Sequence, residues 1–95
     1  MIKVVAGMTI APDKIDAAMD IVNELIAATV KEAGCIGYNF CKATDSEDAY
    51  AFIESWQDQA ALDAHMASEH FGRLLPALGA YSTGEPQIAV YSVLV

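Results

Sequence analysis

Between Pro12 and Gly34 the chain carries an apolar stripe that only a helix can use. Ile15, Ala18, Met19, Val22, Leu25, Ile26, Thr29 and Val30 recur at a period of 3.6 residues. Asp13, Asp16, Asp20, Asn23, Glu24 and Lys31 fall on the wet side. So one-sided a helix must lay its stripe on another layer. The flanking segments supply one, because their apolar residues alternate with period two, the signature of strands. Ile2, Val4, Ala6, Met8 and Ile10 share one face of a first strand, followed by Pro12, which suits the first turn of the helix, and Gly34 supplies the helix stop.

The same reading extends to the C-terminus. A second strand is expected over about Ile36 to Thr44 and a third over about Ala49 to Trp56, joined by the polar turn Asp45-Ser46-Glu47-Asp48 as an antiparallel hairpin. Asp58 is a good N-cap for a short helix to about Ala67, and Ser68 caps another with the stripe Phe71, Leu74, Leu75 and Leu78, kinked or ended by Pro76. Gly79 to Pro86 reads as loop, and Gln87 to Val95 as a fourth strand. The order β-α-β-β-α-β is that of a ferredoxin-like α+β sandwich: one antiparallel sheet with helices on one face. At 95 residues it makes a single domain, residues 1–95.

Hydrophobic residues make up 55 % of the chain, more than so small an interior can hide. The last strand shows where the excess lies. Ile88, Val90 and Leu94 point one way, and Ala89, Tyr91, Val93 and Val95 the other, although helices can cover one face only. A second copy is the simplest cover, so a homodimer is expected. The net charge of −8 opposes binding to nucleic acid or to anionic membranes. With no visible signal peptide and no membrane-length apolar run, a cytoplasmic location is expected. Cys35 and Cys41 lie along one expected strand, separated by roughly 20 Å at strand rise. A disulfide spans only about 7 Å between Cα atoms, so free thiols are expected.

His65 and His70 are the only histidines. At helical spacing His65 aligns with Asp58, Ala61 and Leu62, with Met66 beside it, and points inward. An inward imidazole can move protons in a dry cavity; the alternative is a buried histidine bonded to a backbone carbonyl. His70 falls in the first turn of the next helix, where it could bond an incoming polar group or sit at the surface. On the third strand Tyr50, Phe52, Glu54 and Trp56 share a face, as core or as the wall of a pocket for a flat apolar molecule. Tyr38 and Asn39, pointing oppositely on the second strand, could each donate a hydrogen bond. No dinucleotide or phosphate-loop glycine motif is present, and histidines five apart without a His-Glu-x-x-His motif argue against a metal.

Three motifs in order, Glu32-x-Gly34-Cys35-x-x-Tyr38, Phe52-x-Glu54-x-Trp56 and Leu62-x-x-His65-x-x-Ser68-x-His70-Phe71, resemble the antibiotic biosynthesis monooxygenase (ABM) domain family, including its small quinol monooxygenases. The resemblance implies a dimeric α+β barrel with a pocket between each sheet and its helices. It implies oxidation of a small quinol- or anthrone-like aromatic by O2 without flavin, haem or metal, hence no cofactor. By the same resemblance His65 is the base or proton shuttle. Trp56 and Phe52 pack the substrate rings, and Tyr38, Asn39 and His70 make polar contacts. Haem-degrading relatives carry an Asn, a Trp and a His where this chain has Met8, His65 and Leu75, which argues against haem. Other relatives are acid–base isomerases of a small phosphorylated ketone, a use that calls for cations, with Arg73 the nearest. A non-catalytic small-ligand binding module is the remaining alternative.

Overall fold

A computed structural model describes residues 1–95. In chain order the elements are β1 (Ile2–Ile10), α1 (Ile15–Thr29), β2 (Cys35–Lys42), β3 (Ala49–Trp56), α2 (Gln59–Met66), α3 (Glu69–Gly79) and β4 (Ser82–Ser92). The strands form one antiparallel sheet in the order β2-β3-β1-β4, the ferredoxin-like arrangement expected from the sequence. Its register pairs Glu54 with Tyr38 on one side and with Val4 on the other. These three buried residues therefore form one row across the face that meets the helices. The hydrophobic core sits between that face and the helical layer, with Phe52, Trp56, Val22, Leu25, Leu74 and Leu78 at its centre.

The helix caps follow the sequence. Asp58 accepts from the backbone N–H of Ala61 at 2.9 Å, and Ser68 from that of Phe71 at 3.3 Å. Both cysteines lie on β2 and are free thiols.

Four boundaries differ from expectation. Helix α1 starts at Ile15, because Pro12 is spent in a preceding turn closed by Lys14 N–H to the Ala11 carbonyl. It ends at Thr29, which leaves Val30 half exposed outside the stripe. Pro76, expected to kink or end α3, does not end it, and the helix runs to Gly79 as its stripe implied: one backbone bond, to Gly72, is forgone, and Leu74 and Leu78 bury on either side of the gap. Strand β4 begins at Ser82, not Gln87, and ends at Ser92. Gly84 (φ +69°) and Pro86 had the composition of a loop, but they occupy a register shift against β1 between Gly7 and Thr9. At such a bulge a residue without an N–H is tolerated.

Gly34 does not stop α1. It closes the turn after it, at φ +83°, where a Cβ would meet the Ala61 Cβ at 2.6 Å. Its carbonyl accepts the Gln57 N–H at 2.8 Å. The turn that carries Glu32 is thereby pressed against α2. On the outer sheet face Val5, Ile53 and Tyr91 remain exposed, and the helices also leave Ile88 and Val90 of β4 uncovered. Both faces of β4 are therefore apolar and open.

Candidate active site

A cavity of about 140 Å³ opens between the inner sheet face and α2 and α3. Val4, Ala6 and Met8 of β1 form its floor with Phe52; Leu62, Phe71, Leu75 and Leu78 close it from the helices; Pro86 and Ile88 of β4 complete the rim. Three side chains with titratable groups border this apolar space: His65, Glu54 and Tyr38.

His65 is 1 % exposed. Its ring packs against Trp56, with centroids 4.7 Å apart, and meets Phe71 and Tyr38 in edge contacts at 4.9 and 5.3 Å. Nδ1 lies 2.7 Å from Oε2 of Glu32. A carboxylate only accepts, so Nδ1 carries the proton and the neutral ring holds its lone pair on Nε2. That Nε2 is buried and has no partner. Burial lowers the His65 pKa below the usual imidazole value; the Glu32 bond and charge oppose the shift without overcoming it. The partner is a side-chain carboxylate, not the backbone carbonyl of the alternative reading.

The other groups are tuned by the same low dielectric. Burial pushes the Glu54 carboxyl up to about 7, against the indole N–H of Trp56, which donates to Oε1 at 2.9 Å; the Glu32 charge adds to the rise. Burial, then the charges of Glu54 and Glu32, push the Tyr38 phenol far above its ordinary value, so it stays a hydrogen-bond donor. The site thus combines a neutral base, a carboxyl poised between its two forms and a protonated phenol.

The structure separates the remaining expected site residues. Phe52 and Tyr38 line the cavity, as does His65. Trp56 is fully buried behind His65, orienting the imidazole and Glu54, and is not on the wall. His70 turns its Nε2 to the same Glu32 oxygen at 2.8 Å and borders no part of the cavity. Asn39 is exposed on the outer sheet face opposite Ile53, because alternation along β2 sends it away from Tyr38. Arg73 lies at the surface in ion pairs with Glu24 and Glu69, and no lysine or arginine lines the cavity.

Glu32 is the candidate-site residue that reasoning from the sequence missed, although it opens the first of the three motifs. Its Oε2 accepts from both histidines and couples them. The ligand atoms of Glu32, His65 and His70 lie within 4.8 Å of one another, so this is where a divalent ion could be held. Here both nitrogens are already satisfied on one carboxylate oxygen.

Comparison with known proteins agrees with this fold. Residues 1–76 match the model of the family described as antibiotic biosynthesis monooxygenase. The crystal structure of an antibiotic biosynthesis monooxygenase is 34 % identical, superposes with a TM-score of 0.91 and covers 100 % of both chains. That of a conserved protein from Methanosarcina mazei Go1 is 33 % identical with a TM-score of 0.92, covering 95 % of this chain and 89 % of the other. The uncharacterized protein sll1783 of Synechocystis is 28 % identical over 95 % of this chain, which spans 62 % of that relative's length. The family model matches well over half of the chain and the fold superposes closely, so the chain belongs to the antibiotic biosynthesis monooxygenase family.

Proposed function

We propose that this protein is a cofactor-independent monooxygenase that inserts one atom of dioxygen into a small quinol-like aromatic. The observation that carries the reading is His65. One ring nitrogen is tied to Glu32, and the other, bearing the lone pair, is unpartnered in a ring that borders an apolar cavity. Deprotonating a quinol hydroxyl gives an electron-rich anion able to reduce dioxygen directly. The protein then needs to supply a base, a dry space and hydrogen bonds to the developing oxyanion. His65 supplies the first, and the Tyr38 phenol and Glu54 carboxyl supply the last.

Size narrows the substrate. A dry cavity of ~150 Å³ takes up one benzene ring, and this one measures about 140 Å³. That favours a single ring over the three fused rings of an anthrone. The wall lacks the cations that a phosphorylated ketone requires, which argues against the isomerase reading. A binding module would have no need of a carboxylate-backed imidazole beside a second ionisable group. The exposed apolar outer face and the uncovered β4 support a homodimer. No helix of the chain is long and apolar enough to cross a membrane.

The test is dioxygen uptake by chelator-treated protein against a panel of hydroquinones, catechols and anthrones. Uptake with single-ring quinols and formation of a hydroxylated quinone is the expected result. No uptake with any member of the panel would refute the reading.

A further inference from the structure

Glu54 is the second ionisable group of the cavity, and its hydrogen bond to the oxyanion leaves the transfer of its proton without a task. It stands on β3 between Phe52 and Trp56, 5 % exposed, and borders the cavity. The Trp56 indole can only donate, so Oε1 is fixed as the acceptor at 2.9 Å. Oε2 makes no hydrogen bond within the protein and is left to carry a proton. A carboxylate with one neutral donor in apolar surroundings is costly, and the acid form avoids that cost. The groups that bear on it are the Tyr38 phenol across the register on β2, the Cys35 thiol at the start of β2 and Glu32 from the turn after α1; His65 of α2 borders the same cavity, and β1 presents apolar Val4. None brings a fixed positive charge.

Resting on the oxygenase reading, we infer that Glu54 is the acid that protonates the departing oxygen when the O–O bond of the substrate hydroperoxide breaks. The sequence balances. Nε2 of His65 takes the quinol hydroxyl proton. The anion passes electrons to dioxygen, a C–O bond forms at the neighbouring ring carbon, and the imidazolium returns its proton to the terminal peroxide oxygen. Nε2 then takes the hydrogen of that ring carbon as a proton. The C–H electron pair becomes the new carbonyl bond, the O–O bond breaks, and Glu54 gives its proton to the leaving oxygen, which departs as water. The imidazolium proton resets Glu54 through that water. Quinol plus dioxygen becomes hydroxyquinone plus water: the substrate loses four electrons and dioxygen gains four.

Glu54→Gln tests this, because the amide oxygen can still accept from the Trp56 indole but carries no ionisable proton. The expected variant takes up dioxygen on the same quinol with kcat lowered about 100-fold and KM within about threefold. The stalled hydroperoxide expels peroxide, so it releases hydrogen peroxide and unhydroxylated quinone. A variant that still yields hydroxyquinone and water at the native rate overturns the inference. Should Glu54→Gln fail to fold by circular dichroism, Trp56→Phe serves instead. Removing the indole donor raises the Glu54 pKa, so the alkaline limb of the rate profile should move to higher pH; an unmoved limb overturns the inference. A native protein inert toward all quinols takes down both readings, whereas an active native protein with a fully coupled variant removes only Glu54.

Discussion

Replacing Glu32 with glutamine removes the charge behind His65 while keeping the side chain's size. The ring nitrogen and carboxylate oxygen are 2.7 Å apart, His65 is buried and the Glu32 side chain is 15 % exposed, so water screens the contact weakly. In the proposed reaction the ring accepts a substrate proton, and this contact then becomes an ion pair. A hydrogen bond to a charged group contributes about 1.5–3 kcal/mol. The bare Coulomb attraction of unit charges 4 Å apart is ~4 kcal/mol at an effective dielectric near 20, which is of the same order. A loss of ~2–3 kcal/mol in the transition state lowers kcat/KM roughly 30- to 150-fold. The pH profile gives an independent sign. Glu32 raises the His65 pKa by hydrogen bond and by charge. Without it the ring is harder to protonate, and the rate requires the neutral ring. The acid limb of Glu32→Gln therefore moves to lower pH even as the plateau falls. Dioxygen uptake with a single-ring hydroquinone across the titration range measures both, with far-UV circular dichroism as the fold control. A plateau within threefold of native, or a limb displaced to higher pH, would refute the claim that Glu32 supports the base.

Other perturbations separate chemistry from architecture. His65→Ala should cut quinol turnover by at least about 100-fold with an unchanged far-UV spectrum, measured in the same uptake assay. Gly34→Ala places a methyl against the Ala61 Cβ at a left-handed backbone position. Thermal or urea melts should show a loss of about 2–5 kcal/mol from strain and overpacking together. Ile53→Glu puts a charge at the centre of the exposed outer face; sedimentation should show a dimer for the native chain and a monomer for the variant.

The order of elements was legible because each carries a clean period: 3.6 along α1, two along β1 and β3. What blurred was punctuation. Gly84 and Pro86 have loop composition, yet they sit in a bulge whose partner strand lies over 70 residues earlier in the chain, and no local pattern records that pairing. Pro76 reads as a kink or a stop, and burial of Leu74 and Leu78 outweighs one absent backbone bond, so the helix continues. His65 was legible from its place on the apolar side of α2. Glu32 was not, because it lies in an aperiodic turn and its partner is 33 residues away; only its motif kept it in view. Asn39 could have been set aside from the sequence, since alternation along β2 cannot send it and Tyr38 to one face.

Glu32 precedes the β2–β3 hairpin and His65 follows it, so the pair meets only after two strands have aligned and α2 has folded back over them. Loosely assembled chains would keep a normal helical spectrum while the imidazole lost its anchor. For the proposed oxygenase, turnover would be a stricter gauge of refolded or redesigned preparations than secondary-structure content, because it would count only molecules in which that long excursion has closed correctly.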